Sequence, residues 1–248
     1  MPADQPTILA TSGGSRLSRR HHVAPGALLW HALELGRGGE RPRLCYLGTA
    51  SGDDLFWQAH WYDAFAGTGV EFSCLRLFSM PNLADMRGHL LRQDAVWVGG
   101  GSVAGLLAMW RLHGLDAIFR EVWEAGVVLG GVSAGSLCWH VGGTTDSFGP
   151  ELRPVTDGLG LLPYANGVHY DAEPQRRPLL QKLVGEGTLP DAYATDNGVG
   201  LVYRGTELVE AVSEVAGAGA YSVRRTGPGA VVEARIEPRL LPEPPPED

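Results

Sequence analysis

The chain has 248 residues, 44% of them apolar, and a net charge of −8. That length suits one domain with a sizeable core, and the acidic balance excludes nucleic acid as a main partner, because phosphate binding needs a basic surface. The polar start lacks the pattern of a secretory signal and no stretch approaches the roughly 20 apolar residues of a membrane span, so a soluble, cytoplasmic protein with no membrane partner is expected.

Strand-like and helix-like runs alternate through the first half. Thr7-Ile8-Leu9-Ala10 reads as a strand ending at Gly13-Gly14, and a helix follows over about 27–35, stopped by Gly36. Leu44 to Leu47 is the next strand. Asp53 and Asp54 then make a good helix start for a helix carrying Leu55, Phe56, Ala59 and Phe65. A strand over Phe72 to Phe78 and a helical stripe at Leu83, Met86, Leu90 and Leu91 come next. Ala95 to Val98 is a strand that ends in Gly99-Gly100-Gly101-Ser102. The segment Leu115–Glu124 has apolar residues at Leu115, Ile118, Phe119, Val122 and Trp123, the spacing of one buried helix face. The strand Val127 to Gly130 follows.

Short apolar strands alternating with helices imply an α/β fold, with a mostly parallel central sheet covered on both faces. Ligands then bind beyond the carboxyl ends of the strands, where both the glycine turn after Val98 and the turn after Gly130 lie. The last part reads differently: Val199 to Val212 and Tyr221 to Ile236 look like β-hairpins. Residues 1–236 are taken as one domain. The tail 237–248, rich in Pro and Glu, is expected to be disordered. Cys45, Cys74 and Cys138 show no metal-ligand spacing, which fits a reducing compartment.

The most informative motif is Gly131-Val132-Ser133-Ala134-Gly135, preceded by an apolar strand. This is the pattern of a nucleophile elbow, a sharp strand-to-helix turn that pushes a serine hydroxyl into a cleft. Such a serine needs a base within hydrogen-bond reach. Of the 8 histidines, His21, His22, His31, His60, His89 and His113 lie in helical or loop stretches away from strand ends. His140 falls about two helical turns past the serine on a helix leaving the elbow, roughly 10 Å away. His169, in Asn166-Gly167-Val168-His169-Tyr170, sits in extended chain and reads as the end of a strand beside the elbow strand. It is the candidate base, against the bland reading of a satisfied core histidine.

No histidine follows His169, so two chain orders are open. An acid between serine and histidine would be Asp146, Glu151 or Asp157. That is the order of α/β-hydrolases, but the interval is very short for that fold. An acid after the histidine would be Asp196, in the turn Asp196-Asn197-Gly198 between two strands, which could hold the histidine tautomer or simply cap the turn. Asp171 is a further candidate. For the oxyanion, the Ala134 N–H is the natural first donor, with Gly100 or Gly101 supplying the second.

Four segments together, Val98-Gly99-Gly100-Gly101-Ser102, the Ser133 elbow, Gly167-Val168-His169-Tyr170 and Thr195-Asp196-Asn197-Gly198-Val199, resemble the peptidase S51 family, which includes peptidase E and the cyanophycinases. The resemblance spans roughly residues 7–212. It implies a three-layer α/β sandwich akin to class I glutamine amidotransferases, and a triad in the order Ser133, His169, late acid. The late slot falls on Asp196, where family members place Glu before an apolar strand, so this chain departs from the pattern by one methylene. The resemblance further implies a dipeptidase for substrates with N-terminal aspartate, with Arg176 the better match of Arg176 and Arg177 for the substrate carboxylate. It implies a small peptide as substrate, no metal or organic cofactor, and a homodimer. The alternatives are a cyanophycinase-like or other acyl hydrolase, and an inactive binding protein on the same fold. An amidotransferase-like enzyme would need cysteine in the elbow, and the nearest is Cys138.

Overall fold

The computed structural model describes residues 3–18, 20–36 and 38–245. The first half runs β1 (Thr7–Thr11), β2 (Ser15–Ser18), β3 (His22–Pro25), α1 (Ala27–Gly36), β4 (Arg43–Leu47), α2 (Leu55–Phe65), β5 (Glu71–Leu75), α3 (Met86–Leu91) and β6 (Ala95–Val98). Then come α4 (Val103–Leu112), α5 (Leu115–Glu124), β7 (Val128–Val132), α6 (Ala134–Leu137), β8 (His140–Thr145), β9 (Arg153–Val155), β10 (Leu162–Gly167) and α7 (Arg176–Glu186). The chain closes with β11 (Ala192–Thr195), β12 (Val199–Arg204), β13 (Glu207–Ser213), β14 (Ala220–Gly227), β15 (Ala230–Ile236) and β16 (Arg239–Leu240).

The fold is α/β, and its main sheet has 8 strands in the order β16-β13-β12-β1-β7-β6-β4-β5. Its core is parallel from β1 through β7, β6 and β4 to β5. Successive side chains of a strand point to opposite faces, and here both faces are covered. Ile8, Ala10, Cys45, Leu47, Val96 and Val98 pack on the side of α4 and α5. Leu9, Leu44, Tyr46 and Trp97 pack on the side of α1 and α2. Continuous apolar strands such as Ala95–Val98 follow from this, since neither face may be polar.

A second sheet of 6 strands, β15-β14-β11-β10-β8-β9, packs its own small core against α7. The two expected C-terminal hairpins both form but separate: β12–β13 extends the main sheet and β14–β15 extends the second. His169 therefore follows a strand of the second sheet and does not flank the elbow strand, because β10 pairs with β8 and β11.

Other expectations shift locally. In α2 the buried residues are Gln58, Trp61 and Phe65, while Leu55 and Phe56 are exposed. The helix is rotated so that its indole Trp61, with far more area to bury than Leu55, faces the sheet. The strand expected through Phe78 stops at Leu75, and the Leu77 and Phe78 N–H groups donate to the Asp53 carboxylate instead. The α4 helix lay unmarked by the sequence reading. Within the tail expected to be disordered from 237, Arg239–Leu240 form β16, parallel to β13, and Leu241 is buried, while its last residues, 246–248, lie outside the described residues. An apolar anchor in a Pro- and Glu-rich segment is enough to tie it down. Among the described residues, no helix is long and apolar enough to cross a membrane.

Candidate active site

The elbow is built by close backbone packing. Ser133 takes φ 58°, ψ −111°, a conformation that costs a side-chain-bearing residue about 1–3 kcal/mol and persists only where the surroundings enforce it. The enforcement is visible: the Ser133 N–H donates to Thr11 O at 3.0 Å, and Ser133 O accepts from the Ser136 and Leu137 N–H groups, each at 2.9 Å. A Cβ at Gly131 would lie 2.5 Å from Val98 O, and one at Gly135 2.2 Å from the same oxygen. The glycines of the motif thus let the end of β6 press against the turn, leaving Ser133 partly exposed.

That approach also brings the glycine turn to the serine. A Cβ on Gly100 would stand 3.4 Å from Ser133 Cβ. Gly101 has φ +133°, and a Cβ there would meet Ala50 O at 2.4 Å. Among the described residues, no backbone acceptor is paired with the Gly100 or Gly101 N–H, whereas Gly99 donates to Leu47 O and Ser102 to Ala50 O. Ala134, first residue of α6, has an N–H that the helix itself cannot satisfy. Two sets of N–H groups therefore flank the serine.

His169 lies two residues beyond β10, half-buried, with φ 52°. Its N–H donates to Ser12 Oγ at 3.0 Å, and its Nδ1 bonds Asn197 Oδ1 at 2.5 Å. An amide oxygen only accepts, so Nδ1 carries the proton and Nε2 is the basic nitrogen. Asn197 is itself set by its N–H, which donates to Asp171 Oδ1 at 2.8 Å.

Asp196, the expected acid, is not on His169. Its buried carboxylate accepts from the Gly219 N–H at 2.9 Å and the Tyr221 hydroxyl at 3.1 Å. The strand pair β11–β14 draws it inward, and the next residue of the turn, Asn197, faces the imidazole. Of the other acids, Asp157 forms an exposed ion pair with Arg111, Glu151 is exposed, and Asp171 acts on Asn197. The residue opposite Nδ1 was missed because the turn was read through its charged member.

One cavity of about 400 Å³ is lined by Gly101, Ser102, Ser133, Asp146, Ser147, His169, Glu173 and Arg176. The structure thus brings together Ser133, His169, Gly101 and Arg176, with Asp146 added from the alternatives. The Arg176 side chain is 3% exposed. Its guanidinium donates to Thr144 O at 2.9 Å and, through two nitrogens, to both oxygens of Glu173 at 2.8 and 3.1 Å. Glu173 had no place in the sequence reading, although a Glu three residues before an Arg is a recognisable pair. Arg177 turns away, bonded to Glu233 and stacked over Tyr170 and Tyr221.

Two discounted groups stay outside the cavity. The α6 helix ends at Leu137, so His140 opens β8 rather than riding a helix. It is fully buried, and its Nδ1–H donates to Ser136 O at 2.9 Å. Cys138 is fully buried and burial pushes its thiol well above the ordinary range, so it offers no thiolate.

Comparisons with known proteins agree with this architecture. The family model for Peptidase family S51 matches residues 8–211. An uncharacterized peptidase, YgaJ, of Bacillus subtilis (strain 168) is 40% identical over 184 residues, covering 74% of this chain and 79% of that protein. A Peptidase E of Shewanella denitrificans is 28% identical over 156 residues, 59% of this chain and 66% of its own. Among solved structures, a peptidase from an acI-B1 Actinobacterium superposes with TM-score 0.65 at 16% identity over 94% of this chain and 97% of that one. A putative Peptidase E protein of Listeria monocytogenes EGD-e gives TM-score 0.58 at 19% identity over 94% and 100%.

Proposed function

The chain belongs to peptidase family S51 and is a serine peptidase, and on that premise we propose that it is a dipeptidase for substrates with an N-terminal aspartate, Asp-Xaa. The observation that carries this is the single cavity holding an elbow serine, a histidine, one buried arginine and two carboxylates, Asp146 and Glu173. An N-terminal aspartate presents a carboxylate and an α-ammonium close together. Arg176 suits the first, since its fork matches a carboxylate, and Asp146 suits the second.

In the proposed mechanism His169 Nε2 takes the Ser133 Oγ proton as Oγ attacks the carbonyl of the first residue. Asn197 holds Nδ1–H and so keeps Nε2 basic, the role an orienting residue plays in any such triad. The Ala134 N–H with that of Gly100 or Gly101 receives the oxyanion. His169 then protonates the leaving amine, and water attacks the acyl-serine by the reverse path. The substrate carboxylate takes the place of Glu173 on Arg176. Glu173 is 43% exposed, so it can turn to solvent as the substrate carboxylate takes over the pairing of the buried guanidinium.

Glu173 also favours a second reading: if it stays on Arg176, the site takes a neutral first residue instead. Steady-state kinetics on Asp-Leu, Ala-Leu and Lys-Leu separate the two. Asp-Leu is expected to lead by about 10²-fold in kcat/KM, and Glu173→Gln to lower its KM. Equal rates on Ala-Leu and Asp-Leu would end the aspartate reading. Ser133→Ala is expected to lose on the order of 10⁴-fold or more, and wild-type rates in that variant would remove Ser133 from the mechanism.

A further inference from the structure

We infer that a second, aromatic subsite adjoins the nucleophile and receives a large apolar side chain from the substrate residue that follows the scissile bond. This rests on the reading above, in which the first residue is held at Arg176. A separate cavity of about 170 Å³ lies beside the glycine turn. Its largest walls are Val23, Tyr46, Trp57, Trp61 and Trp97, with Ser15 and Ser51 the polar side chains beside them.

The two cavities are lined by consecutive residues of the same two turns. Gly100 and Val132 line the aromatic cavity, while their successors Gly101 and Ser133 line the polar one. A carbonyl placed at Ser133 Oγ therefore lies one residue from the lining of the aromatic cavity on both turns. With the first residue's side chain in the polar cavity, the chain leaving the carbonyl has the aromatic cavity to enter.

The walls are fixed rather than collapsible. Trp97 is buried between two glycines: a Cβ on Gly14 would lie 2.5 Å from its ring, and one on Gly130 3.0 Å. Tyr46 packs against Trp61, ring centroids 5.7 Å apart, and Trp61 stacks on Phe65 at 5.9 Å. Trp57, 44% exposed, forms the rim.

Size and polarity set the occupant. A dry apolar cavity of about 150 Å³ accommodates a benzene ring, so this one suits a phenyl or isobutyl group. Among the described residues, none of its lining side chains is charged at neutral pH; Tyr46, with its hydroxyl pushed up to about 12 chiefly by burial, stays protonated. A lysine or glutamate side chain would lose hydration there with no opposite charge to pair with.

The test is a kcat/KM panel of Asp-Phe, Asp-Leu, Asp-Ala and Asp-Lys, with the matching Ala-Xaa set, on the full-length wild type, Trp57→Ala and Trp57→Phe. Asp-Phe and Asp-Leu are expected to exceed Asp-Ala and Asp-Lys about tenfold or more. The Phe-to-Ala ratio should fall toward one in Trp57→Ala and return in Trp57→Phe. A flat wild-type panel, or a ratio unmoved by Trp57→Ala, overturns the subsite. If the ratio behaves as expected in the Ala-Xaa set while aspartate gives no advantage, the aspartate reading falls and the aromatic subsite stands. Should turnover be absent, calorimetric binding of Asp-Phe and Asp-Ala to Ser133→Ala decides: equal affinities overturn the inference, and tighter Asp-Phe supports it.

Discussion

Ser133 and His169 reach the same cavity on opposite kinds of support. Ser133 follows β7, which has β1 and β6 on either side and apolar layers on both faces. His169 follows β10 of the smaller sheet, among the exposed Asp171, Ala172 and Asn197. Both residues hold a positive φ, 58° and 52°. Both are tied by their N–H to the end of β1, one to Thr11 O and the other to Ser12 Oγ. Ser133 is thus fixed by backbone sterics, which are stiff, and His169 by side-chain hydrogen bonds, which single substitutions can loosen one at a time.

The steric side should break hardest. Gly135→Ala puts a methyl 2.2 Å from Val98 O, backbone that cannot move without displacing β6. A loss of about 3 kcal/mol or more is expected, read from urea unfolding; a variant within about 1 kcal/mol of wild type would show that the elbow yields.

The seam between the two sheets should respond to acid. His140 of β8 packs on Tyr203 of β12, centroids 5.7 Å apart, and burial pushes its imidazole down to about 4 from the ordinary 6.5. Above pH 6.5 the ring is neutral folded or unfolded, so it adds no pH dependence. Between pH 6.5 and 4 the unfolded chain binds a proton that the folded chain refuses, so stability falls as pH falls, by about 3 kcal/mol in total. Urea midpoints of wild type and His140→Gln across that window check this, and equal slopes would refute it.

On the hydrogen-bonded side, Asn197→Ala is expected to lower kcat about 10²-fold, about 2.7 kcal/mol, with little change in KM. Asp196→Ala strands the Gly219 N–H and the Tyr221 hydroxyl, and should act on stability first, by about 1–3 kcal/mol. A larger kcat loss in Asp196→Ala than in Asn197→Ala would reverse the two roles. Smallest of all, Ser12→Ala removes the acceptor of the His169 N–H and the bond to Thr195 Oγ1 at 2.7 Å. About a tenfold drop in kcat is expected, with fluorophosphonate labelling of Ser133 slowed in step because that reaction draws on the same base, and with unfolding stability little changed.

Legibility followed the same division. The strands Thr7–Ala10 and Ala95–Val98, the helix Leu115–Glu124 and the Ser133 elbow were readable because apolar periodicity and glycine spacing are local signals. The α2 face was misread because Leu55, Phe56, Trp57, Trp61 and Phe65 are all apolar, and periodicity cannot choose among them. His169 was found by chain order, but its sheet was not, since strand pairing is a long-range matter. The turn 196–198 was placed correctly, yet which of its two polar side chains faces the imidazole depends on β14, which arrives only at Ala220.

By itself, then, the sequence determined the α/β class, the strand ends that line the cavity, and a serine in a sharp turn, because those rest on near neighbours in the chain. Only the tertiary structure decided that the strands divide into two sheets, that Asn197 rather than Asp196 meets His169, that Glu173 occupies Arg176, and that an aromatic cavity borders the serine. Each of those is a contact between segments far apart in the chain, set by packing that no local pattern encodes.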